Sequence, residues 1–288
     1  MRNSVFTALL LVFTTFLSNN LAAQSEPSTL YMQVTYVSVN SENDAEVREQ
    51  MLSEWVPNQI ERVERGEILD WNFYEALITG PFDSYNYVYI TNTTDYAQLF
   101  YEPEVSDKGF RVLQNEIWVL QGAALPTTDG DRGEQIERDD IIRISVPTKN
   151  GSFTSEVSGI GHNGNLSNGN YITKNYMDTR GSSGEHRVLE LDFWRQIHHV
   201  RIDNGILDSW AMYTMSKPGG SSRLYNYSTI DYYDSLDDIS GFDSRALAEI
   251  AHPLLSGEQI DDFFNRTGPS RTAYKTELWR RIATTHSD

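Results

Sequence analysis

The chain has no cysteine among its 288 residues. That excludes disulfides, thiol nucleophiles and thiolate-held metals, so the fold must rest on burial alone. Positive charge is scarce, with 23 Lys and Arg against 41 Asp and Glu and a formal net charge of −18. Such a surface repels phosphate backbones and anionic lipid, so no nucleic-acid partner is expected. A solvated acidic face serves solubility equally well, and the charge by itself marks no site. Long apolar runs are missing beyond the start. There, Arg2 precedes an apolar stretch from Val5 to Leu17 and a small-residue junction ending at Ala23. This run is shorter than the roughly 20 residues that cross a bilayer, so 1–23 reads as a secretory signal peptide and not as a membrane span. The expected location is secreted or periplasmic.

Familiar catalytic signatures are missing too. There is no GxSxG, HExxH, phosphate-binding loop or dinucleotide fingerprint, and each of those chemistries depends on its spacing. Asp129-Gly130-Asp131 offers too few regularly spaced oxygens for a calcium loop. No cofactor or metal site is expected.

What is present is a duplication. WRQIHHVRIDNG, Trp194 to Gly205, has a worn copy in WVPNQIERVERG, Trp55 to Gly66. Trp55 matches Trp194, Arg62 matches Arg201, Val63 matches Ile202 and Gly66 matches Gly205. Ile68-Leu69-Asp70 and Ile206-Leu207-Asp208 follow. Around the first copy the pattern gives a strand at Leu30 to Val39, a helix from Glu46 to Arg65 stopped by Gly66, and strands at Ile68 to Ile78 and Tyr85 to Thr91. A second helical stretch begins at Asp95, and Glu116 to Gly122 closes the unit. Pro57 should kink or split the helix. The order recurs from Tyr171, with Glu277-Leu278-Trp279 repeating Glu116-Ile117-Trp118 and about two dozen extra residues, read as two short helices around Ser244 to Phe264. The fold class is therefore α+β, with two tandem ferredoxin-like (βαββαβ) repeats at 28–125 and 171–288. Between them, 126–170 reads as a linker with an extra strand at Asp140 to Pro147 and a Gly/Asn/Ser-rich loop, either a tether or a lid.

Two such units, each with an aromatic-rich helix ending in Gly and a closing strand carrying Glu-x-Trp, resemble the dimeric α/β-barrel superfamily. The resemblance covers most of the chain and rests on element order and repeated residues, not on a catalytic signature. It implies two sheets closing one barrel, within the chain or by exchange with a second molecule. It also implies a range of roles, from cofactor-free monooxygenases, polyketide cyclases and haem-degrading enzymes to proteins without known activity, so fold alone leaves function open.

Candidate residues follow from spacing. His198 lies four residues after Trp194 and three before Arg201, so the three share a helix face, and an imidazole there could act as acid or base. Asn175 and Tyr213 are the expected substrate-orienting partners, and Trp194, Arg201, Trp210 and Tyr176 the expected ligand-binding surface. The plainer alternative for His198 is a hydrogen-bonded core histidine, since the first copy has Gln59 there. His199 diverges from it by roughly 100°, so the pair is a poor chelator. Arg62 and Arg201 suit helix-end capping. Glu116 and Glu277 are expected to pair with them as structural ions. Polar Gln33, Thr35, Thr173 and Asn175 alternate along the first strands, and Lys174 replaces Val34. The expected role is an exported protein that binds a small organic or sugar-like ligand, or a structural one. The alternative is a cofactor-independent enzyme (monooxygenase, cyclase, isomerase or lyase) with its acid/base histidine in the second repeat. A further one is haem held by a histidine.

Overall fold

A computed structural model describes residues 29–80, 83–100, 110–126, 141–148, 151–158, 169–218, 224–239 and 241–285, with 141–158 described as backbone only. Three features expected from sequence lie outside the described residues: the signal segment, the acidic stretch at Asp129-Gly130-Asp131 and most of the Gly/Asn/Ser-rich loop.

The first half runs β1 (Tyr31–Val39), α1 (Asp44–Gln50), a π turn (Met51–Trp55), α2 (Val56–Glu64), β2 (Asp70–Ile78), β3 (Tyr87–Thr93), a 3₁₀ turn (Tyr96–Phe100) and β4 (Phe110–Ala124). A hairpin of β5 (Ile141–Thr148) and β6 (Gly151–Ser158) follows. The second half runs β7 (Tyr171–Asp178), α3 (Ser183–Val188), a π turn (Leu189–Trp194), α4 (Arg195–Asp203), β8 (Ser209–Lys217), β9 (Tyr227–Tyr233), a 3₁₀ turn (Leu236–Ile239), α5 (Ser244–Ala251), α6 (Gly257–Thr267) and β10 (Thr272–Thr284). The two short helices expected in the second half are present as α5 and α6.

Eight strands close a single antiparallel barrel in the order β1-β3-β2-β10-β7-β9-β8-β4. Closure depends on the two long strands. Phe110 to Val119 of β4 pair with β1, and Ile117 to Ala124 pair with β8. Likewise Thr272 to Arg280 of β10 pair with β7, and Leu278 to Thr284 with β2. Each half thus hands its last strand to the other, and the closed barrel itself has no open edge.

Strand alternation sorts the side chains. Met32, Val34, Tyr36, Tyr74, Trp118, Leu120, Ile172, Tyr176, Tyr213, Tyr232 and Trp279 fill the interior as one cluster. On the outside, Val47, Met51 and Trp55 of the first helix pack on Trp71, Phe73 and Tyr87. In the second half Trp210 and Met212 form the matching face, and Phe193, Ile197, Leu247, Ala248 and Ile260 join α4, α5 and α6.

The first-half helix does widen at Pro57, where the preceding turn is π-helical and the proline sits at the start of α2. The second half has the same π turn with no proline. The wide turn therefore belongs to the repeat, and Pro57 occupies a place where a missing backbone donor is tolerated. Gly66 and Gly205 end both helices at φ +69° and +66°. In each, a Schellman pair forms: Gly66 N to Val63 O (2.9 Å) with Glu67 N to Arg62 O (3.0 Å), and Gly205 N to Ile202 O (2.9 Å) with Ile206 N to Arg201 O (2.9 Å).

That equivalence of Glu67 with Ile206 corrects the Ile-Leu-Asp match by one residue. Ile68 corresponds to Leu207, both buried, while Leu69 is exposed. A one-residue slip would turn every following side chain of the strand to the wrong face. The second 3₁₀ turn begins at Leu236, three residues after the end of β9, as the first begins at Tyr96, three residues after the end of β3. The segment after Asn150, expected as loop, contains β6. Pairing with β5 gives its backbone groups the partners that a loop would leave to water.

Candidate functional site

The interior carries a polar cluster near one mouth of the barrel, built from corresponding residues of the two halves. Glu116 on β4 and Glu277 on β10 are fully buried and point inward. Tyr36 donates to Glu116 Oε2 at 2.7 Å, and Tyr176 donates to Glu277 Oε2 at 2.7 Å. The two phenol oxygens meet each other at 2.7 Å. The outer tyrosines cross between halves: Tyr225 donates to Glu116 Oε1 at 2.5 Å, and Tyr85 donates to Glu277 Oε1. Their rings meet the same way, Tyr36 with Tyr85 and Tyr176 with Tyr225 both at 4.8 Å and inclined at 58° and 61°.

The two halves differ in what surrounds this frame. Glu116 also accepts from Gln114 (2.7 Å) and Trp118 Nε1 (3.0 Å), both neutral donors. Position 275 replaces that glutamine with lysine, whose Nζ lies 2.7 Å from Glu277 Oε1 and 2.7 Å from Asp83. Lys174 replaces Val34. Its Nζ lies 4.0 Å above the Trp118 ring and 4.8 Å from the Tyr176 ring, with no hydrogen-bond partner. Burial pushes this amine down to about 7, against the pull of Glu116 and Glu277. Burial first, then the neighbouring carboxylates, hold the Tyr36 and Tyr176 phenols well above their usual value. Glu116, Tyr36, Tyr176 and Glu277 form a string of three oxygen contacts but contain two phenol protons. With Tyr36 donating to Glu116 and Tyr176 donating to Glu277, neither phenol has a proton left for the contact between them.

The cluster reaches the surface at Asp83, 28% exposed, and Lys275, 9% exposed. The exposed Tyr274 lies 5.3 Å from Tyr225 at the same mouth. Below, side chains fill the interior, so a ligand entering here must displace the Tyr85 and Tyr225 rings. Lys275 stays charged: it is pulled above the usual lysine range by Glu277 and Asp83, although burial opposes this.

The residues singled out from sequence divide between the two sheet faces. Asn175 pairs with Thr229, and Thr229 with Met212, so these share the outer face; Tyr176, Ser228 and Tyr213 share the inner one. Trp210 belongs to the outer face, where His198 stacks on it at 4.8 Å. The structure therefore separates Tyr213 from His198 and Asn175 by the thickness of the sheet. It also separates Tyr176 from Trp194, Arg201 and Trp210. Asn175 is held by Thr229 (3.2 Å) and Thr276 (2.8 Å). Trp194 donates to Thr267 at 3.0 Å.

His198 does the work that Gln59 does in the first half. Arg62 donates to Gln59 Oε1 at 2.9 Å, and Arg201 NH1 lies 3.0 Å from His198 Nδ1. Arg201 further contacts Tyr233 OH (3.1 Å), Asp231 (3.5 Å) and the face of Phe242 (3.9 Å). Burial and then Arg201 hold His198 well below its usual value, so it is a neutral acceptor. The expected ion pairs of Glu116 and Glu277 with these arginines do not form, because the glutamates face the interior and the arginines the outer helix layer. A haem does not fit at His198: Trp210 covers one ring face, Nδ1 receives Arg201, and α5 and α6 pack over this helix layer. A further buried set, His186, Glu190, Ser270 and Arg271, fastens the second π turn to the start of β10. Burial pushes His186 down to about 3 and Glu190 up to about 7. Among the described residues no group of three or more His, Asp or Glu is placed to hold a metal ion.

No protein-family model matches the chain, and no curated protein matches its sequence. Solved structures resemble it in fold. An anthrone oxidase-like protein aligns over 90% of this chain and 93% of its own at 10% identity and a TM-score of 0.45. A proposed monooxygenase from Lactobacillus acidophilus aligns over 89% and 95% at 6% identity and 0.46. A variant of chlorite dismutase from Candidatus Nitrospira defluvii aligns over 92% and 94% at 10% identity and 0.44.

Position 174 was the readable signal for the interior cluster. On β7 the inward positions are Ile172, 174 and Tyr176, and a lysine there breaks an apolar alternation. Tyr85 and Tyr225 gave no such signal, since a tyrosine in or beside a strand is unexceptional in a chain with 16 of them.

Proposed function

We propose that this protein binds a small organic ligand inside its barrel, at the mouth ringed by Tyr85, Tyr225 and Lys275, and acts on it by proton transfer. One observation carries this reading: the fully buried Lys174 amine has no hydrogen-bond partner yet sits beside a hydrogen-bonded string of carboxyls and phenols. A buried amine left so is costly unless something else occupies its hydrogen-bonding capacity. The sequence-based alternative, a site in the outer layer around His198, has Trp194 and Arg201 at hand, and its unpartnered atom there, Arg201 Nε, belongs to a guanidinium whose other two nitrogens are already held by His198 and Tyr233.

The same reading takes the halves as two ferredoxin-like repeats, 28–125 and 171–288, and the start of the chain as an export signal. Intact mass measurement on protein recovered from the producing cell's exterior would show the loss of 1–23, whereas a full-length cytosolic product would remove export from the proposal.

The site is tested by a thermal-shift screen of the full chain against small phenols, carbonyl compounds, organic acids and oligosaccharides. A ligand at about a hundred times its Kd adds about 2.7 kcal/mol. A shift lost in Lys174→Met and kept in Trp194→Phe supports the interior site. The opposite pattern moves the site to the helix layer and ends this reading.

A further inference from the structure

The chain has five lysines, Lys108, Lys149, Lys174, Lys217 and Lys275. Lys275 is neutralised by Glu277 and Asp83 within 2.7 Å, and Lys217 is exposed. Lys174 alone of the described lysines is sealed from water with its nitrogen unpartnered.

We propose that Lys174 captures a small aldehyde or ketone as a covalent imine, which makes carbonyl compounds the ligand class of the barrel; this rests on the interior site proposed above. The environment suits each stage. The free amine adds its lone pair to the carbonyl carbon, forming the C–N bond, while a proton passes to the carbonyl oxygen to give a carbinolamine. The C–O bond then breaks, water leaves with a proton taken from solvent and relayed along the Glu116–Tyr36–Tyr176–Glu277 string, and an iminium remains. Amine and carbonyl compound go in, imine and water come out, and no oxidant or reductant is consumed. The positive iminium lies beside Glu116 and Glu277, which favour it. The rings of Trp118 and Tyr176, at 4.0 and 4.8 Å from the nitrogen, wall the site for the apolar part of the ligand. The lowered basicity of Lys174 supports this chemistry, because a desolvated lysine holds more free amine at neutral pH than one in water.

The half-to-half comparison explains why one lysine suffices. Position 34 remains valine, so the pseudo-symmetric frame of four tyrosines and two glutamates surrounds a single nucleophile.

The test is reductive trapping on the full chain. Propionaldehyde is added at pH 7.5 followed by sodium borohydride, and N-propyl-lysine is mapped by peptide mass spectrometry over time. The expected result is at least tenfold faster labelling of Lys174 than of Lys217, since an amine lowered to about 7 exceeds an ordinary lysine in free base by roughly a thousandfold. Borohydride added before the aldehyde should leave Lys174 unmodified, and Lys174→Met should lose the fast adduct while Lys217 labels as before. Because the mapping is done on the unaltered protein, a variant that fails to fold does not blunt the test. Labelling of Lys217 with none at Lys174 overturns the proposal. If carbonyl compounds still give the Lys174-dependent thermal shift in that case, the interior site survives and only the covalent step is lost. If neither adduct nor shift occurs, both fall.

Discussion

The two halves share a frame and differ in its contents. Both have the π turn, the Schellman glycine, the buried arginine with an acceptor three residues before it, and an inward Glu-x-Trp. They part at Val34 against Lys174, Gln114 against Lys275, and Gln59 against His198. The last change keeps its function, since glutamine and neutral histidine both accept from arginine. The first two do not, because each puts an amine where the other half has a neutral side chain. What duplicated is the means of closing a barrel; what diverged is the charge inside it.

The sharpest way to break that comparison is to remove the carboxylates one at a time. Glu277→Gln should cost about 3–5 kcal/mol, because it strips the buried lysine partners of their counter-charge. Glu116→Gln should cost about 1–3 kcal/mol, since its donors are neutral and the amide can donate to Tyr36, freeing that phenol's proton for Tyr176. Equal losses on denaturant titration would mean that the asymmetry of the lysines is energetically silent.

Lys174→Met gives the next effect, and it is read as a slope. With a folded value of about 7 against 10.5 in the unfolded chain, the unfolded state binds the proton first as pH falls. Stability from this group is therefore present above 10.5, is lost progressively down to 7, and changes no further below. Between pH 7.5 and 9.5 the unaltered protein should gain about 1.4 kcal/mol per pH unit relative to Lys174→Met. Parallel curves would show that the amine is ordinary in the fold.

Gly66→Ala and Gly205→Ala should each cost about 1 kcal/mol, from backbone conformation alone. A Cβ there meets nothing within 4 Å in either half. Unequal costs would show that the helix ends are not equivalent.

His198→Gln is the smallest change, under about 1 kcal/mol at pH 8, if it reproduces the Gln59 contact. It should also remove part of the acid-side loss. His198 is held neutral when folded and takes a proton when unfolded, so the natural chain loses stability as pH falls below the histidine range. An unchanged acid limb would show that His198 is not the buried neutral acceptor described here.

The frame was legible because it repeats. Trp55 and Trp194, Arg62 and Arg201, and Gly66 and Gly205 are local features of a helix and its end, and spacing reports those well. Register was less legible: Ile68-Leu69-Asp70 looks like Ile206-Leu207-Asp208, but identity over three residues cannot outweigh which side chain must be buried. The site was barely legible. His198, Trp194 and Arg201 do share a helix face, as spacing requires, yet Tyr213 and Tyr176 lie across the sheet from them, and one strand's sequence does not say which face its neighbours will close over.

The sequence by itself determined the duplication, the helix ends, the inward or outward parity within each strand and the exceptional lysine on β7. These follow from backbone geometry over a few residues. Only the tertiary structure decided that β4 and β10 cross between halves, that Tyr85 reaches Glu277 and Tyr225 reaches Glu116, and that Tyr36 touches Tyr176. Those contacts join residues 109 to 192 positions apart. They exist because closing the barrel buries two carboxyls together, and buried carboxyls must find donors wherever the closed sheet provides them.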